Sequence, residues 1–268
     1  MKSFSGTEPW ARTVSRLFAL ALVSLLALPV SALVISASSF DFGEALKGQS
    51  VGAAVGLSLK TSSMALGLTL LLGLPLSWWL ASAKRSWTRL LDTIIELPIV
   101  LPPAVMGVGL LQAFGRNGLW GGWLSAWGIS IPFTESAVVM AQLIVSAPFF
   151  VQSASQAFRR LDPELLLVAR SLGASESRIF WRVVLPLSLP GLISGACLSW
   201  ARALGEFGAT LLFAGNRPGI TQTMPLAIFT ALESSLETAV ALSLLLGALG
   251  VALLIGLRVF VQRMVSPE

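Results

Sequence analysis

Histidine and tyrosine are absent from this 268-residue chain, and cysteine occurs once, at Cys197. No imidazole means no base for a Ser/His/Asp triad and no histidine-containing zinc site, and a lone thiol cannot form an internal disulfide. Cys197 therefore reads as a packing residue. Charge is scarce as well: Asp, Glu, Lys and Arg make up 12% of the residues, where soluble domains carry roughly 25%. A phosphate-binding loop is also missing. Gly43 and Gly48 have the required spacing, but Gln49 stands where the phosphate-binding lysine is needed, so the chain has no means of hydrolysing ATP by itself.

Apolar side chains are what the sequence has in quantity, 55% of the total, with a mean hydropathy of +0.82. That is the composition of a membrane protein. A helix needs roughly 20 apolar residues to cross about 30 Å of hydrocarbon. Six stretches qualify: Leu17 to Ala37, Thr61 to Ser82, Ile94 to Phe114, Ser136 to Ala157, Leu187 to Phe213 and Thr238 to Leu257. Pro29, Pro75, Pro98, Pro148 and Pro190 fall inside them and predict kinks. Lys2, Arg12 and Arg16 ahead of the first stretch also describe a secretory signal, but its length favours a retained anchor.

The net charge of +5 is a matter of topology. Lys2, Arg12, Arg16, Lys84, Arg85, Arg89, Arg159, Arg160, Arg170, Arg178, Arg182, Arg258 and Arg263 fall on one side of the six spans. The other side receives Lys47, Arg116 and Arg217, with Lys60 near a boundary. The positive-inside rule then places both termini in the cytoplasm. In the outer loop "GRNGLWGGWLSAWGISIPF", Trp120, Trp123 and Trp127 read as an interfacial anchor rather than a substrate-stacking platform. Thr223 and Pro225 mark the start of a short helix lying on the outer surface.

The stretch "RRLDPELLLVARSLGASESRIFWRVVLPLSLPG" holds the clearest local signals. Asp162 before Pro163 starts a helix, Gly173 stops it, Ser175 caps a second helix, and Pro186 ends that one. Two short helices meeting at a basic corner resemble a DNA-binding helix-turn-helix. The second runs straight into a membrane span, however, which leaves no room for a three-helix core. The corner reads as a docking surface for a soluble partner.

The spacing from Gly173 through nine residues to Val183, then Leu185 and Pro186, resembles the cytoplasmic coupling loop of ABC importer permeases. Leu167, Val168 and Ala169 stand where that loop usually opens with Glu-Ala-Ala, which leaves charge at the ATPase contact to Arg170, Arg178 or Glu164. "IIELPIVLPPAVMGVGLL" and "ARALGEFGATLLFAGNRPGITQTMPLAIFTALE" resemble the molybdate/tungstate permeases and, less closely, the sulfate/thiosulfate permeases. The resemblance covers most of the chain from about Ser58 onward, through three separated motifs in order. It implies an all-α, polytopic bundle of six transmembrane helices of the type I ABC importer permease kind. One permease domain would span 1–268, with an N-terminal segment and first span in 1–50, and a core in 51–268 carrying the coupling loop 158–186.

The resemblance also implies partners: a second copy of the chain, two cytoplasmic ATPase subunits that hydrolyse ATP with Mg, and an oxyanion-binding protein outside the inner membrane of a prokaryote. The chain itself binds no cofactor, metal or nucleic acid and has no catalytic residue. The coupling contacts it implies are Glu164, Ala169, Arg170, Ser171, Leu172, Gly173, Ala174, Ser175, Arg178 and Phe180.

Within the fifth span, Arg202 and Glu206 are four apart, so in a helix they share one face. A lone charge at the bilayer centre costs about 2.5 to 3.5 kcal/mol on insertion scales, so the two are expected to face inward. Two readings are open: a border of the translocation path or gate, together with Gly205, Gly208, Pro102 and Pro103, or a structural ion pair. Gly191 with Gly195, and Ala201 with Gly205 and Ala209, form small-residue ladders suited to close helix contact and a two-fold interface. Leu101, Pro102 and Pro103 predict a fixed bend that could serve as a gate hinge. Lys60 is expected to snorkel outward, and Glu96 to cap a helix or pair with a loop arginine. A secondary transporter, with Glu206 relaying protons and Arg202 binding the anion, is the rival reading.

Overall fold

The computed structural model describes residues 9–47, 49–83 and 88–265. Lys2, Gly48, Lys84 and Arg85 lie outside the described residues. Among the described residues there is no strand, as the apolar runs and the shortage of turn signals between them require. The chain forms α1 (Pro9–Ala37), the single turn α2 (Phe42–Ala45), α3 (Gln49–Ser82), α4 (Thr88–Val100), α5 (Pro103–Phe114), α6 (Gly121–Ala126) and α7 (Glu135–Arg159). There follow α8 (Pro163–Ser171), α9 (Glu176–Ile179), α10 (Leu185–Leu204), α11 (Gly208–Ala214), α12 (Met224–Leu232) and α13 (Leu236–Val265).

Five stretches are long and apolar enough to cross a membrane unbroken: Thr13–Ala37, Val51–Ser82, Glu135–Arg159, Glu176–Leu204 and Leu236–Leu253. The remaining expected span, Ile94 to Phe114, is not straight. Its halves Leu90–Val100 and Pro103–Phe114 meet at 111°. The break has a local cause: Leu101 N–H closes α4 on Leu97, 2.9 Å away, and Val105 N–H opens α5 on Pro102, also 2.9 Å away. Pro102 and Pro103 supply no donors between them, so nothing continues the ladder.

The fifth span departs from expectation at both ends. Pro186 does not end the helix that Ser175 starts. Residues Phe180–Val184 widen into a π-turn, with Leu185 N–H bonded to the Phe180 carbonyl, and the helix runs on into α10. The wider turn absorbs the carbonyl that the proline ring would strike in a regular helix. At the other end α10 stops at Leu204 and a new helix begins at Gly208, so Leu187 to Phe213 is two helices.

Helix α7 is the hub. Of its apolar window 61% is buried, against 28% for each of the spans that contain α3 and α10. Small residues make this possible. A Cβ on Gly191 would lie 2.6 Å from Ala157 Cβ, one on Gly195 would lie 2.7 Å from Ser153 Cβ, and one on Gly73 would lie 2.9 Å from the Phe150 ring. The Gly191/Gly195 ladder, expected at a two-fold interface, is thus occupied by α7 of the same chain. Hydroxyls stitch the same seams: Ser153 Oγ donates to Gly191 O at 3.0 Å and Ser199 Oγ to Ser146 O at 2.9 Å.

Helix α1 stands at the margin, with none of its apolar window buried, and packs on α13. Helix α12 buries Met224, Leu226, Ala227 and Ala231, so it is tucked into the bundle rather than laid on its surface. Thr223 takes the cap position, but its hydroxyl makes no capping bond; Ser58 Oγ accepts from Met224 N–H at 2.7 Å instead. Lys60 is exposed, and its Nζ lies 2.7 Å from Glu135 at the start of α7. Among the described residues Glu96 pairs with no arginine: it accepts from Gln152 Nε2 at 2.9 Å, while Arg159 takes Asp92 at 3.1 Å.

Candidate gate and docking corner

Two groups of side chains separate along the bundle. The first lies where the third and fifth spans break. Helix α10 ends on Gly205, and Glu206 sits in the three-residue gap before α11. Glu206 is wholly buried, and its Oε1 accepts the Ala209 backbone N–H at 2.8 Å. Its Oε2 lies 2.7 Å from Arg202 Nη2. Arg202 occupies the last turn of α10 and Glu206 caps the first turn of α11, so each charge sits at the helix end whose dipole favours it. The pairing expected from four-residue spacing is present, although the helix that justified it stops between the two residues.

This junction packs against the other break. A Cβ on Gly208 would meet Ala104 N at 3.2 Å and Pro103 Cβ at 3.3 Å. One turn further along, a Cβ on Gly107 would fall 2.9 Å from both Ala209 Cα and Ala209 O. Gly208 and Gly107 therefore let two backbones touch where any side chain would separate them. Pro103 and Gly208, from two stretches far apart in the sequence, are in contact, which brings Pro102 and Pro103 beside the junction of Arg202 and Glu206. Gly205 adjoins them but has space for a Cβ, its nearest neighbour being Ala201 O at 3.6 Å.

Sequence reasoning missed the polar atoms beside this junction. Gln142 and Ser146, one turn apart on α7, and Thr210 on α11 are buried, and the Gln142 amide, Ser146 Oγ and Thr210 Oγ1 have no hydrogen-bond partner among the described residues. The available signal was a glutamine and a serine at four-residue spacing inside an apolar span. Leaving a buried polar group unpartnered costs about 1–3 kcal/mol.

The second group is the corner before α10. Asp162 Oδ1 accepts from Glu164 N–H at 2.9 Å and starts α8. Gly173 adopts φ 79°, a conformation that a side chain disfavours. Gly173 N–H bonds Arg170 O at 2.9 Å and Ala174 N–H bonds Ala169 O at 3.1 Å, which closes the helix end. Ser175 then accepts from Arg178 N–H at 3.4 Å.

Across the corner Arg170 grips Glu176 with two bonds, Nε to Oε1 at 2.7 Å and Nη2 to Oε2 at 3.2 Å. The hydrogen bonds from Arg170 hold the Glu176 carboxyl below its ordinary range, and Glu176 in turn raises the guanidinium. Arg170 is thus committed within the chain, while Glu164 and Arg178 stay exposed.

The corner is fixed to the bundle by its inner side. Leu166, Ala169, Ala174 and Phe180 pack on Phe158, Ile179 and Val184, and Trp78 meets the Phe158 ring at 5.4 Å and the Phe180 ring at 5.5 Å. Of the expected contact residues, Ala169, Ala174 and Phe180 therefore face inward. The outward side shows Leu165, Leu167, Val168 and Leu172, the last 82% exposed. Ser171 bonds back to Leu167 O at 3.0 Å. A rigid elbow with an apolar outer face suits transmission of force from a partner into α7 and α10. A separate three-helix DNA-binding core is excluded, because the elbow's core is made from the ends of membrane helices.

Residues 73–267 match the family of binding-protein-dependent transport system inner membrane components. The chain belongs to this family. Among known members, this permease is 44% identical over 238 residues to the molybdenum transport system permease protein ModB of Mycobacterium bovis, covering 89% of this chain and 90% of that one. It is 42% identical over 182 residues to the Escherichia coli protein of the same name, covering 68% and 80%. The permease fold also matches a bacterial ABC transporter involved in import of the acidic polysaccharide alginate, with a TM-score of 0.74 at 15% identity over 97% of this chain and 100% of that one. The MetNI methionine ABC transporter in an inward-facing conformation matches with a TM-score of 0.63 at 17% identity over 79% and 94%.

Proposed function

We propose that this chain, as a single permease domain, is the membrane subunit of an ATP-driven importer for a tetrahedral oxyanion, molybdate or tungstate. The observation that carries the proposal is the identity with molybdenum transport permeases across nearly the whole length of both chains. In this reading the chain works as a homodimer in the inner membrane, with both termini and the α8–α9 corner cytoplasmic. Two ATPase subunits grip the corners, hydrolysing ATP with Mg, and a binding protein delivers the anion from outside. The excess of cations on the corner side supports that orientation.

The geometry supports a mechanical role. ATP-driven approach of two partner subunits moves two elbows, and each elbow is continuous with α10 through the π-turn and welded to α7 by aromatic packing. Motion passed along α10 reaches the junction of Arg202, Glu206, Gly208 and Pro103, where spans three and five break beside each other. Broken helices concentrate bending there. Glu206 accepts a backbone N–H and lies 2.7 Å from a guanidinium of the same chain, which supports a structural role at this junction.

Vesicles containing this chain, its ATPase and its binding protein should accumulate molybdate only with ATP inside the ATPase compartment. Uphill uptake by this chain alone under a proton gradient would overturn the proposal. Uptake of sulfate in preference to molybdate would correct the cargo and leave the mechanism standing.

A further inference from the structure

Helix α7 is 25 residues long, about 37 Å at 1.5 Å per residue, and it ends at the docking corner. The loop before its first residue therefore lies on the opposite face of the bundle. There a cavity of about 210 Å³ opens between the end of α5 and the start of α7, lined by Phe114, Arg116, Gly121, Ser125, Ser130 and Pro132. The loop that shapes it is tightly wound: a Cβ on Gly115, Gly118 or Gly121 would collide with the carbonyl oxygens of Leu111, Gln112 and Gly115. Leu119 and Trp120 N–H groups bond back to α5 at 3.1 and 2.8 Å.

Arg116 and the hydroxyls of Ser125 and Ser130 are exposed to this space, and none has a side-chain partner among the described residues. A guanidinium with two hydroxyls is a donor set for a tetrahedral oxyanion. Beside it stand Leu119, 88% exposed, and Trp120, Trp123 and Trp127, 57%, 61% and 71% exposed, with adjacent indoles 6.5 and 6.2 Å apart. Indoles favour headgroup depth in a bilayer.

We propose that this cavity holds the phosphate of a membrane phospholipid, with Arg116 on the non-bridging oxygens and the acyl chains beside Leu119 and the three indoles. Charge decides between the two sources of such a group. A phosphodiester carries one negative charge, which one guanidinium neutralises, whereas a free dianion would keep one unmatched charge. The bound lipid would brace the loop joining α5 to α7.

The test is native mass spectrometry of the full chain in mild detergent, titrated with phosphatidylglycerol and separately with diacylglycerol of the same acyl chains. The intact chain should retain the phospholipid in preference. Arg116→Gln should weaken that retention about tenfold, the order expected for one charge-assisted contact, with Arg116→Lys intermediate. S125A combined with S130A should weaken it a few-fold. Because Arg116 is exposed, its loss does not confound folding. Equal retention of the two lipids, or an unchanged affinity in R116Q, would overturn the proposal. So would displacement of the phospholipid by millimolar molybdate, which would assign the cavity to the free oxyanion.

Discussion

The Arg202–Glu206 pair is best tested by a double-mutant cycle, because the exposures of its members make an asymmetric prediction. The Glu206 side chain is 0% exposed and that of Arg202 is 27% exposed. Arg202→Gln leaves a carboxylate fully buried with one backbone donor, and breaking a buried pair in this way costs about 3–5 kcal/mol. Glu206→Gln leaves a guanidinium that still reaches water, and the substituted amide can keep its oxygen on the Ala209 N–H; its cost falls to about 2 kcal/mol. With both charges gone the unpaired buried carboxylate is removed, so the double variant should be more stable than R202Q alone and cost less than the two single changes summed. The coupling between the sites should be about 2–3 kcal/mol. Equilibrium unfolding in mixed micelles measures all four corners. Additive effects, or single costs below about 0.5 kcal/mol, would show that the 2.7 Å approach is not a working ion pair.

Gly107→Ala forces a methyl to within 2.9 Å of the Ala209 backbone; overpacking that backbone cannot relieve should cost at least about 1–3 kcal/mol, read as a lower unfolding temperature and slower uptake. Leu172→Glu alters a residue 82% exposed, so the unfolding temperature should stay put while co-purification of the ATPase is lost; retained co-purification would remove Leu172 from the contact. The Glu176 carboxyl is held below its ordinary range by Arg170, so its support of the corner should be complete above the ordinary carboxylate range and be lost as pH falls through the lowered one. Hydrogen exchange at Gly173 and Ala174, relative to the intrinsic rate at each pH, should accordingly quicken only below the ordinary carboxylate range, whereas E176Q should quicken it at neutral pH. Gly173→Ala at φ 79° should cost about 1 kcal/mol, seen as faster exchange at the same amides.

Local rules made the elbow legible before any coordinates. Asp162, Gly173 and Ser175 each act within a few residues of themselves, through one cap bond or one left-handed turn, and the structure has all three. The bend at Pro102 and Pro103 was legible for the same reason, since lost donors are a property of the residues themselves. Pro186 misled because the proline rule assumes a regular helix, and a π-turn at Phe180–Val184 changes which carbonyl the ring meets. The partners that Lys60 and Glu96 take, Glu135 and Gln152, are distant in sequence and no local pattern names them. Gln142 and Ser146 left a signal, a polar pair at four-residue spacing in an apolar span, whereas burial of Thr210 depends on how α11 packs.

Composition and apolar run length by themselves determined that this is a membrane bundle, because hydrocarbon admits a backbone only when its hydrogen bonds close within each segment. Cap and turn residues determined where the elbow folds. Tertiary structure alone decided that the two broken spans touch, that Gly191 and Gly195 serve α7, and that Glu206 is a cap as well as a charge. The reason is separation along the chain: Pro103 and Gly208 become neighbours only through the packing of α5 on α11, which no local pattern encodes.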